Sequence, residues 1–337
     1  MSDLGTAIQA KGLIKRFGAT AVVTGAASGM GEAMAHELAT EGADVLVLVD
    51  WHAERLGLVA TAIRDRAPDV KVDTHVVDLG NRADLDALVA DLGRAHDHID
   101  LLVNNAGVAL FGRFAQMTIA DFEWVTDINL RAPIVLTHGL LPNLLRADGA
   151  HVINTSSLFG LIAPPGQSAY CASKFGLRGF SESLGAELED DGVGVTTVHP
   201  GGIRTRIATS ARAAASVASG DVESSLAFAD KALRMPPERA ARIILDAARR
   251  RKSRVVVGLD ANLYVADRLN HTLRCITPAG VVTTFAGLAG TAGSVDGAAG
   301  AARFTTPSGL TIDRDGNLFV GDTGNHAVRR ITPDGVV

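Results

Sequence analysis

The chain has 337 residues, which suggests one large domain or two ordinary ones. Its formal net charge of −5 argues against a general nucleic-acid partner, and its two cysteines exclude a disulfide framework. None of the ten histidines has a convincing metal-ligand spacing, so we expect no metal. The sequence has no secretory signal and no membrane-length apolar run, which predicts a cytoplasmic protein with no membrane partner.

The first predicted elements are a strand, a glycine turn and a helix. Residues 20–24 form a β-branched run, residues 25–31 read Gly-Ala-Ala-Ser-Gly-Met-Gly, and residues 32–40 continue with helical spacing of apolar side chains. Glycines let a backbone approach a pyrophosphate, and amides at a helix N-terminus attract its charge. The order therefore predicts a dinucleotide site. A tight turn with close helix packing and no ligand would give the same pattern.

Asp50 follows the next predicted strand, residues 44–49. A carboxylate at this place can accept hydrogen bonds from both ribose hydroxyls of an adenosine and would repel a 2′-phosphate. No Lys or Arg stands in the glycine turn before Gly29 to compensate that repulsion. We therefore expect NAD rather than NADP. The alternative role for Asp50 is that of N-cap for the helix beginning near His52.

The alternation then continues with a helix at 53–66, a strand at 70–77, a helix at 82–95 and a strand at 99–103. Strands that alternate with helices pair in parallel through right-handed crossovers. This predicts an α/β fold, a doubly wound parallel sheet of the Rossmann type. The last of these strands runs into Asn104-Asn105-Ala106-Gly107, at the sheet edge where open parallel sheets bind ligands.

Tyr170 and Lys174 are four residues apart, so on a helix they share one face. A tyrosine ionises near pH 10, and a fixed positive charge beside it favours the phenolate. Ser157, thirteen residues before the tyrosine, could hold a substrate oxygen against the phenol. This triplet predicts proton transfer in a catalytic site.

Together these residues resemble the short-chain dehydrogenase/reductase family in its single-domain form, over about residues 17–260. Residues 1–16 would be an N-terminal extension. The glycine turn matches the cofactor turn of the family, residues 104–107 match its sheet-stabilising segment, and residues 200–205 match the loop that reaches the nicotinamide amide. The catalytic tetrad of the family matches Asn129, Ser157, Tyr170 and Lys174.

The resemblance implies a role for each matched residue. Tyr170 would be the general acid or base, Lys174 would stabilise its anion and hold the nicotinamide ribose, and Ser157 would orient the substrate oxygen. Asn129 would keep a water in a proton relay, and Asp78 would contact the adenine amino group. The implied cofactor-binding residues are Gly25, Ser28, Gly29, Met30, Gly31, Asp50, Asp78, Leu79, Asn105, Ala106, Gly107, Tyr170, Lys174, Pro200, Gly201, Ile203 and Thr205.

The expected substrate pocket is mostly apolar and shows no obvious cation for a carboxylate. Its residues would be Leu110, Leu158, Phe159, Pro164, Pro165, Gln167 and Ile203. We therefore expect a neutral secondary alcohol or ketone as substrate. By resemblance, residues 206–233 would cover it, and the protein would be a homo-oligomer.

From about residue 261 the glycine and threonine content rises, helical periodicity is lost, and an internal repeat begins. Residues 262–267 reappear as 317–322, 270–271 as 325–326, and 276–282 as 331–337, all at one offset of 55 positions. The segment resembles NHL repeats, which form β-propeller blades, with a glycine-rich insertion at 287–300. Residues 261–337 would form a small antiparallel β segment, about one blade plus a partial one.

A propeller needs roughly four to eight blades to close, so this segment resembles an incomplete propeller. Two interpretations remain open: a truncated or artificial fusion, which the absence of a linker near residues 255–261 favours, or a blade that pairs with other chains. The repeat also leaves a second class of function open. The chain could be a binding or scaffold protein that acts through the repeats, with the first domain as a cofactor sensor.

Overall fold

The computed structural model describes residues 20–207, 210–217, 233, 235–258, 263–277, 281–313 and 316–337. The chain divides into two compact units, Met1–Gly258 and Leu259–Val337. The predicted N-terminal extension, residues 1–16, lies outside the described residues. Most of the predicted cover, residues 208–209 and 218–232, lies outside them as well.

The first unit alternates strands and helices in the predicted order. Its helices are α1 (Gly29–Thr40), α2 (Ala53–Arg66), α3 (Arg82–Ala95), α4 (Ile119–Thr126), α5 (Ala132–Arg146), α6 (Ser168–Glu187) and α7 (Pro237–Arg249). Its strands are β1 (Thr20–Thr24), β2 (Val45–Asp50), β3 (Lys71–Val76), β4 (Leu101–Asn104), β5 (Leu110–Phe111), β6 (His151–Thr155), β7 (Gly194–Pro200), β8 (Arg212–Ala213) and β9 (Arg254–Val257). The predicted boundaries differ from these by at most three residues, because strands and helices end where hydrogen-bonding partners end.

Seven strands form one parallel sheet in the order β3-β2-β1-β4-β6-β7-β9. This confirms the predicted α/β class. The chain runs from β1 outward to β3 and then returns to place β4 on the other side of β1. Such a switch point opens a crevice at the carboxyl ends of β1 and β4, where open α/β sheets bind ligands.

Apolar side chains cover both faces of this sheet. On one face, residues of α1, α2 and α7 such as Met34, Ile63 and Ile244 are buried. On the other, α3 and α5 contribute residues such as Leu85 and Leu140. The strands point alternate residues to opposite faces, so nearly continuous apolar runs are needed to fill both layers. The rigid sheet between two packed layers fixes the strand ends that line the crevice.

The second unit contains two antiparallel sheets of three strands. One consists of β10 (Leu263–Asp267), β11 (Thr272–Ile276) and β12 (Val282–Ala286), and the other of β13 (Pro307–Ile312), β14 (Leu318–Asp322) and β15 (Ala327–Ile331). This confirms small antiparallel sheets after the parallel one.

The repeated sequence gives repeated local structure in the second unit. Asn270 donates from Nδ2 to Asp267 Oδ1 over 3.0 Å, and Asn325 donates from Nδ2 to Asp322 Oδ2 over 2.8 Å. His271 and His326 follow with φ values of 58° and 53°. The 55-residue offset therefore repeats a turn as well as a strand.

Within the described ranges, no helix combines the length and apolarity that a membrane crossing requires. Among the same residues, no group of three or more His, Cys, Asp and Glu side chains is arranged to hold a metal ion. Both cysteines, Cys171 and Cys275, are buried free thiols.

Candidate active site

The glycine turn brings the backbone of the chain closest to the crevice. Gly25 and Gly29 have φ values of +65° and +60°, in the left-handed region that glycine tolerates best. A Cβ at Gly31 would lie 2.1 Å from the Gly25 carbonyl oxygen, so only glycine fits there. The turn leads directly into α1, whose first amide groups have no partners within the helix. This arrangement leaves room and N–H donors for a phosphate.

Two side chains hold the turn to the end of β4. The Thr24 hydroxyl accepts hydrogen bonds from the backbone N–H groups of Asn105 and Ala106 over 3.0 and 3.1 Å. It also donates to the Val103 carbonyl over 3.1 Å. The side-chain amide of Asn105 donates a hydrogen bond from Nδ2 to the Thr24 carbonyl over 3.1 Å. The carboxyl ends of β1 and β4 are therefore fastened together.

Asp50 at the end of β2 contacts the turn directly. Its Oδ2 accepts a hydrogen bond from the Ala27 amide, and its Oδ1 accepts one from the His52 amide, each over 3.0 Å. The N-cap of α2 is His52, whose ring accepts from the Arg55 amide. The alternative N-cap role for Asp50 is therefore wrong. The carboxylate instead lines the crevice.

The crevice has a volume of about 790 Å³. Eleven of the predicted cofactor residues line it: Gly25, Ser28, Gly29, Met30, Asp50, Asp78, Leu79, Asn105, Ala106, Gly107 and Thr205. Gly31 lies behind this lining and is buried. The structure thus brings together residues that are as much as 180 positions apart in the sequence.

The loop after β7 reaches the crevice at one point. Gly201 donates from its amide to the Val257 carbonyl over 2.7 Å, which extends the contact between β7 and β9 beyond Pro200. Ile203 is buried in the core. Thr205 faces Gly29, where an added Cβ would lie 3.1 Å from its Cγ2. Among the residues predicted in this loop, Thr205 is the one that lines the crevice.

Tyr170 and Lys174 are buried on one face of α6. The Lys174 ammonium lies 5.7 Å from the centre of the tyrosine ring and donates to the Thr155 carbonyl over 2.8 Å. Ser157 neighbours the phenol and favours its ionised form. The Phe159 ring packs edge-on to the tyrosine with centroids 6.1 Å apart. These contacts define what we call the Tyr170–Lys174 corner.

Asn129 lies in a π-helical turn, Asp127–Arg131, between α4 and α5. Its amide group is fully buried, accepts from the Val108 N–H over 2.8 Å and donates to the Val108 carbonyl over 2.9 Å. A Cβ at Gly107 would lie 3.2 Å from Asn129 Oδ1 and 3.4 Å from Lys174 Nζ. Because Gly107 also lines the crevice, it joins the crevice to the Tyr170–Lys174 corner.

Burial determines the ionisation of this corner. It lowers the pKa of Lys174 to about 7, because the charged ammonium is removed from water. Burial also raises the pKa of Tyr170, and the hydrogen bond with Ser157 opposes only part of that rise. The expectation that the lysine charge brings the phenol into a lower range is therefore wrong in this structure. Desolvation is the largest cause of the direction of both pKa shifts.

Several crevice residues were not predicted from the sequence. Trp51, Arg55, Trp124, Arg206 and Arg212 all line it. Arg212, on β8, places its guanidinium 3.9 Å from the centre of the Trp124 ring. β8 pairs with β5, which no local pattern indicates. The crevice lining therefore includes three arginines, Arg55, Arg206 and Arg212, that the sequence did not predict.

The residues of the expected substrate pocket lie apart from the crevice lining. Leu110 and Ile203 are buried in the core, with 0 and 2% of their surface exposed. Phe159 contacts the tyrosine ring. In the part of the chain that the structure describes, none of the seven expected pocket residues lines the crevice.

The crevice fits a dinucleotide cofactor. The glycine turn offers a backbone surface that a single added methyl group would fill, and a carboxylate stands at the end of β2. Both features suit a pyrophosphate followed by a ribose. Tyr170 and Lys174 do not line the crevice themselves, but Lys174 adjoins it through Gly107.

Comparison with known proteins agrees with this geometry. Residues 19–216 match the short chain dehydrogenase family, and residues 304–331 match the NHL repeat. The SadH protein of Mycobacterium tuberculosis is 37% identical over 278 residues, which cover 80% of this chain and 97% of that protein.

Two solved structures show the same fold with a cofactor. A short chain dehydrogenase/reductase from Burkholderia phymatum in complex with NAD is 28% identical, with a TM-score of 0.65, over 72% of this chain and 90% of that one. A short-chain dehydrogenase from Sphingobium yanoikuyae in complex with NADPH is 29% identical, with a TM-score of 0.61, over 70% of this chain and 87% of that one. The chain therefore belongs to the short-chain dehydrogenase family of oxidoreductases, whose relatives bind nicotinamide cofactors.

Proposed function

We propose that the protein is an NAD-dependent dehydrogenase that interconverts a neutral secondary alcohol and a ketone, with Tyr170 as general acid and base. The observation that carries this proposal is the Tyr170–Lys174 corner. A phenol with Ser157 as its neighbour lies beside a lysine ammonium, and that ammonium adjoins the crevice through Gly107.

The chain supplies binding, orientation and proton transfer, and the nicotinamide supplies the hydride chemistry when bound. In the reducing direction, the Tyr170 hydroxyl gives its proton to the carbonyl oxygen of the substrate. In the oxidising direction, the phenolate takes the proton of the alcohol. Ser157 donates a hydrogen bond to the same substrate oxygen and so fixes its distance from the phenol.

Lys174 stabilises the phenolate when it carries its proton. Its pKa of about 7 lets it gain or lose that proton near neutral pH. Asn129 keeps the Val108 backbone in place behind the lysine. The water relay through Asn129 stays a prediction from the resemblance.

Asp50 supports a preference for NAD. Its two oxygens are fixed by the Ala27 and His52 amides, so the carboxylate cannot turn away from a ribose. A 2′-phosphate at that place would meet a negative charge. The solved relatives bind either cofactor, so the test is the ratio of kcat/KM for NAD and NADP in wild type and in Asp50→Asn. A wild type that prefers NADP would contradict the proposal.

The apolar ring of Phe159 against Tyr170 supports a neutral substrate. A panel of secondary alcohols and ketones, with matched carboxylated and phosphorylated analogues, tests this with NAD and NADP. We expect turnover of the neutral members. Clear preference for anionic analogues would contradict it, and would direct attention to Arg206 and Arg212 in the crevice lining.

The match to the NHL repeat favours a second candidate function, binding of a partner through the second unit. Removal of residues 259–337 separates the two candidates, because the boundary falls between two compact units. Unchanged turnover supports the dehydrogenase. Loss of partner binding in a chain without measurable turnover supports the binding function. A homo-oligomer and a cytoplasmic location stay predictions from the sequence.

A further inference from the structure

His199 is a buried histidine near the Tyr170–Lys174 corner that the proposed mechanism does not use. It lies at the end of β7, directly before Pro200, with 0% of its surface exposed. Its Nδ1 lies 2.9 Å from the backbone carbonyl oxygen of Ser157. This contact joins β7 to the residue whose hydroxyl bonds Tyr170.

The chemistry of the partner fixes the tautomer of the ring. A carbonyl oxygen accepts hydrogen bonds and cannot donate them, so Nδ1 carries the proton. The other nitrogen, Nε2, is buried and has no hydrogen-bond partner among the described residues. Burial lowers the pKa of His199 to about 4, which keeps the ring neutral. A neutral ring with its proton on Nδ1 is a directed donor to Ser157.

The Ser157 carbonyl is held from two sides. The Gly160 amide donates to it over 2.9 Å, within the turn that Ser157 begins, and His199 donates from the neighbouring strand. The residue before it is fixed as well, since the Ser156 amide donates to the Val198 carbonyl over 2.8 Å. The Ser157 backbone is extended, with φ −166° and ψ 167°. A small rotation of this peptide would carry the Ser157 hydroxyl away from the phenol.

The structure assigns His199 as a positioning residue: its Nδ1–H anchors the Ser157 carbonyl and thereby aims the Ser157 hydroxyl at Tyr170 and the substrate oxygen. This inference rests on the proposed role of Ser157 in the reaction. Misplacement of a reacting group by about 1 Å can lower a rate by as much as 10²-fold, so a lost anchor should be visible in kcat.

Three substitutions of His199 test the inference, because they differ in whether and where they place an N–H donor. An asparagine amide reaches the place of Nδ1, a glutamine amide reaches the place of Nε2, and a leucine has no donor. We expect kcat to fall about ten-fold in His199→Leu and in His199→Gln, and to stay within about two-fold of wild type in His199→Asn. The dissociation constant for NADH, measured by fluorescence, should stay the same in all three.

A merely structural role would give a different pattern. His199→Leu loses the bond from Nδ1 but also removes the buried Nε2 that has no partner among the described residues, so its stability should change little while its kcat falls. His138→Leu, a substitution of an exposed histidine on α5, is the matched control and should behave as wild type. Equal kcat in His199→Leu and wild type would overturn the inference, and so would equal losses in His199→Asn and His199→Leu.

A second measurement does not depend on the folding of any variant. Long-range proton–nitrogen NMR of histidine-labelled wild type should show a neutral His199 ring with the proton on Nδ1 at pH 6 to 8. A proton on Nε2 would overturn the inference. Turnover that is lost in Ser157→Ala but unaffected by His199 substitutions would overturn this inference and leave the proposed function intact. A wild type that turns over no substrate of the panel would overturn both.

Discussion

The glycine turn of the crevice and the Tyr170–Lys174 corner beside it obtain their geometry in different ways. At the glycine turn, backbone groups and short hydrogen bonds from Thr24, Asn105 and Asp50 do the work. In the Tyr170–Lys174 corner, ionisable side chains are buried together and burial sets their proton affinities. The function of the turn depends on steric fit, since a methyl group added at Gly31 has no room. The function of the corner depends on ionisation, since burial shifts the pKa values of Tyr170 and Lys174 from those of the same side chains in water.

This difference predicts that substitutions in the glycine turn and in the Tyr170–Lys174 corner change different measured quantities. Removal of the Tyr170 or Ser157 hydroxyl should lower turnover and leave cofactor binding intact. Changes in the glycine turn should affect cofactor binding first. Three experiments test this separation, and a fourth tests the burial of the neighbouring His199.

The largest effect on turnover is expected from Tyr170→Phe. The change removes the proton donor and keeps the ring that packs on Phe159, so kcat should fall by roughly 10³-fold or more. The dissociation constant for NADH, followed by its fluorescence, should change by no more than about two-fold, since the turn is untouched. Residual activity above a tenth of wild type would contradict the role of Tyr170 as acid and base.

Gly31→Ala should act at the glycine turn and affect cofactor binding. Its Cβ would lie 2.1 Å from the Gly25 carbonyl oxygen, so the turn must open and NADH binding should weaken by roughly 100-fold. Gly57→Ala on α2 is the matched control, because nothing lies within 4 Å of the added Cβ. That control should bind NADH normally and gain up to about 1 kcal/mol of stability. Equal NADH affinities in Gly31→Ala and Gly57→Ala would contradict the assignment of the turn.

Acid should destabilise the protein through His199. Its pKa is lowered to about 4, chiefly by burial and also by Arg254 and Arg178, while the bond to Ser157 and the charge of Glu182 oppose these causes. The unfolded chain binds a proton near pH 6.5 and the folded chain does not. The contribution of His199 is therefore complete above pH 6.5 and is lost as the pH falls toward 4, by about 2 kcal/mol at pH 5.

Urea denaturation of wild type and His199→Asn between pH 7 and 5 measures this loss. The wild-type free energy of unfolding should fall more steeply than that of the variant. His151, whose pKa burial lowers to about 3, adds the same dependence to both proteins and cancels in the comparison. Parallel pH dependences of the two proteins would contradict the buried neutral state of His199.

The smallest effect is expected from Thr24→Val. The backbone amides of Asn105 and Ala106 lose their shared acceptor, so the free energy of unfolding should fall by about 1–3 kcal/mol. The dissociation constant for NADH should rise by a larger factor than the factor by which kcat falls. Thr40→Val is the matched control, since the exposed Thr40 hydroxyl donates to the His36 carbonyl of its own helix and makes no contact with the turn in the described part of the chain. A Thr24 variant as stable as the Thr40 variant would show that the turn does not need this hydroxyl.

The sequence by itself determined the elements and the positions with special backbone needs. Alternating apolar runs predicted the strands and helices, since each must bury one or both faces, and glycine spacing predicted the turn. The second unit was visible because a repeat of 55 positions is a property of the chain alone. The candidate residues at the turn were identified in the same way.

Only the tertiary structure decided which groups meet and how they ionise. It brought Thr24 to Asn105 across 81 positions, placed Arg212 over Trp124, and joined His199 to Ser157. It also reversed the expected direction of the Tyr170 pKa, because desolvation depends on everything packed around a group. Local patterns record backbone preferences and apolar faces, but they contain no information on the distant residues that remove water from a side chain.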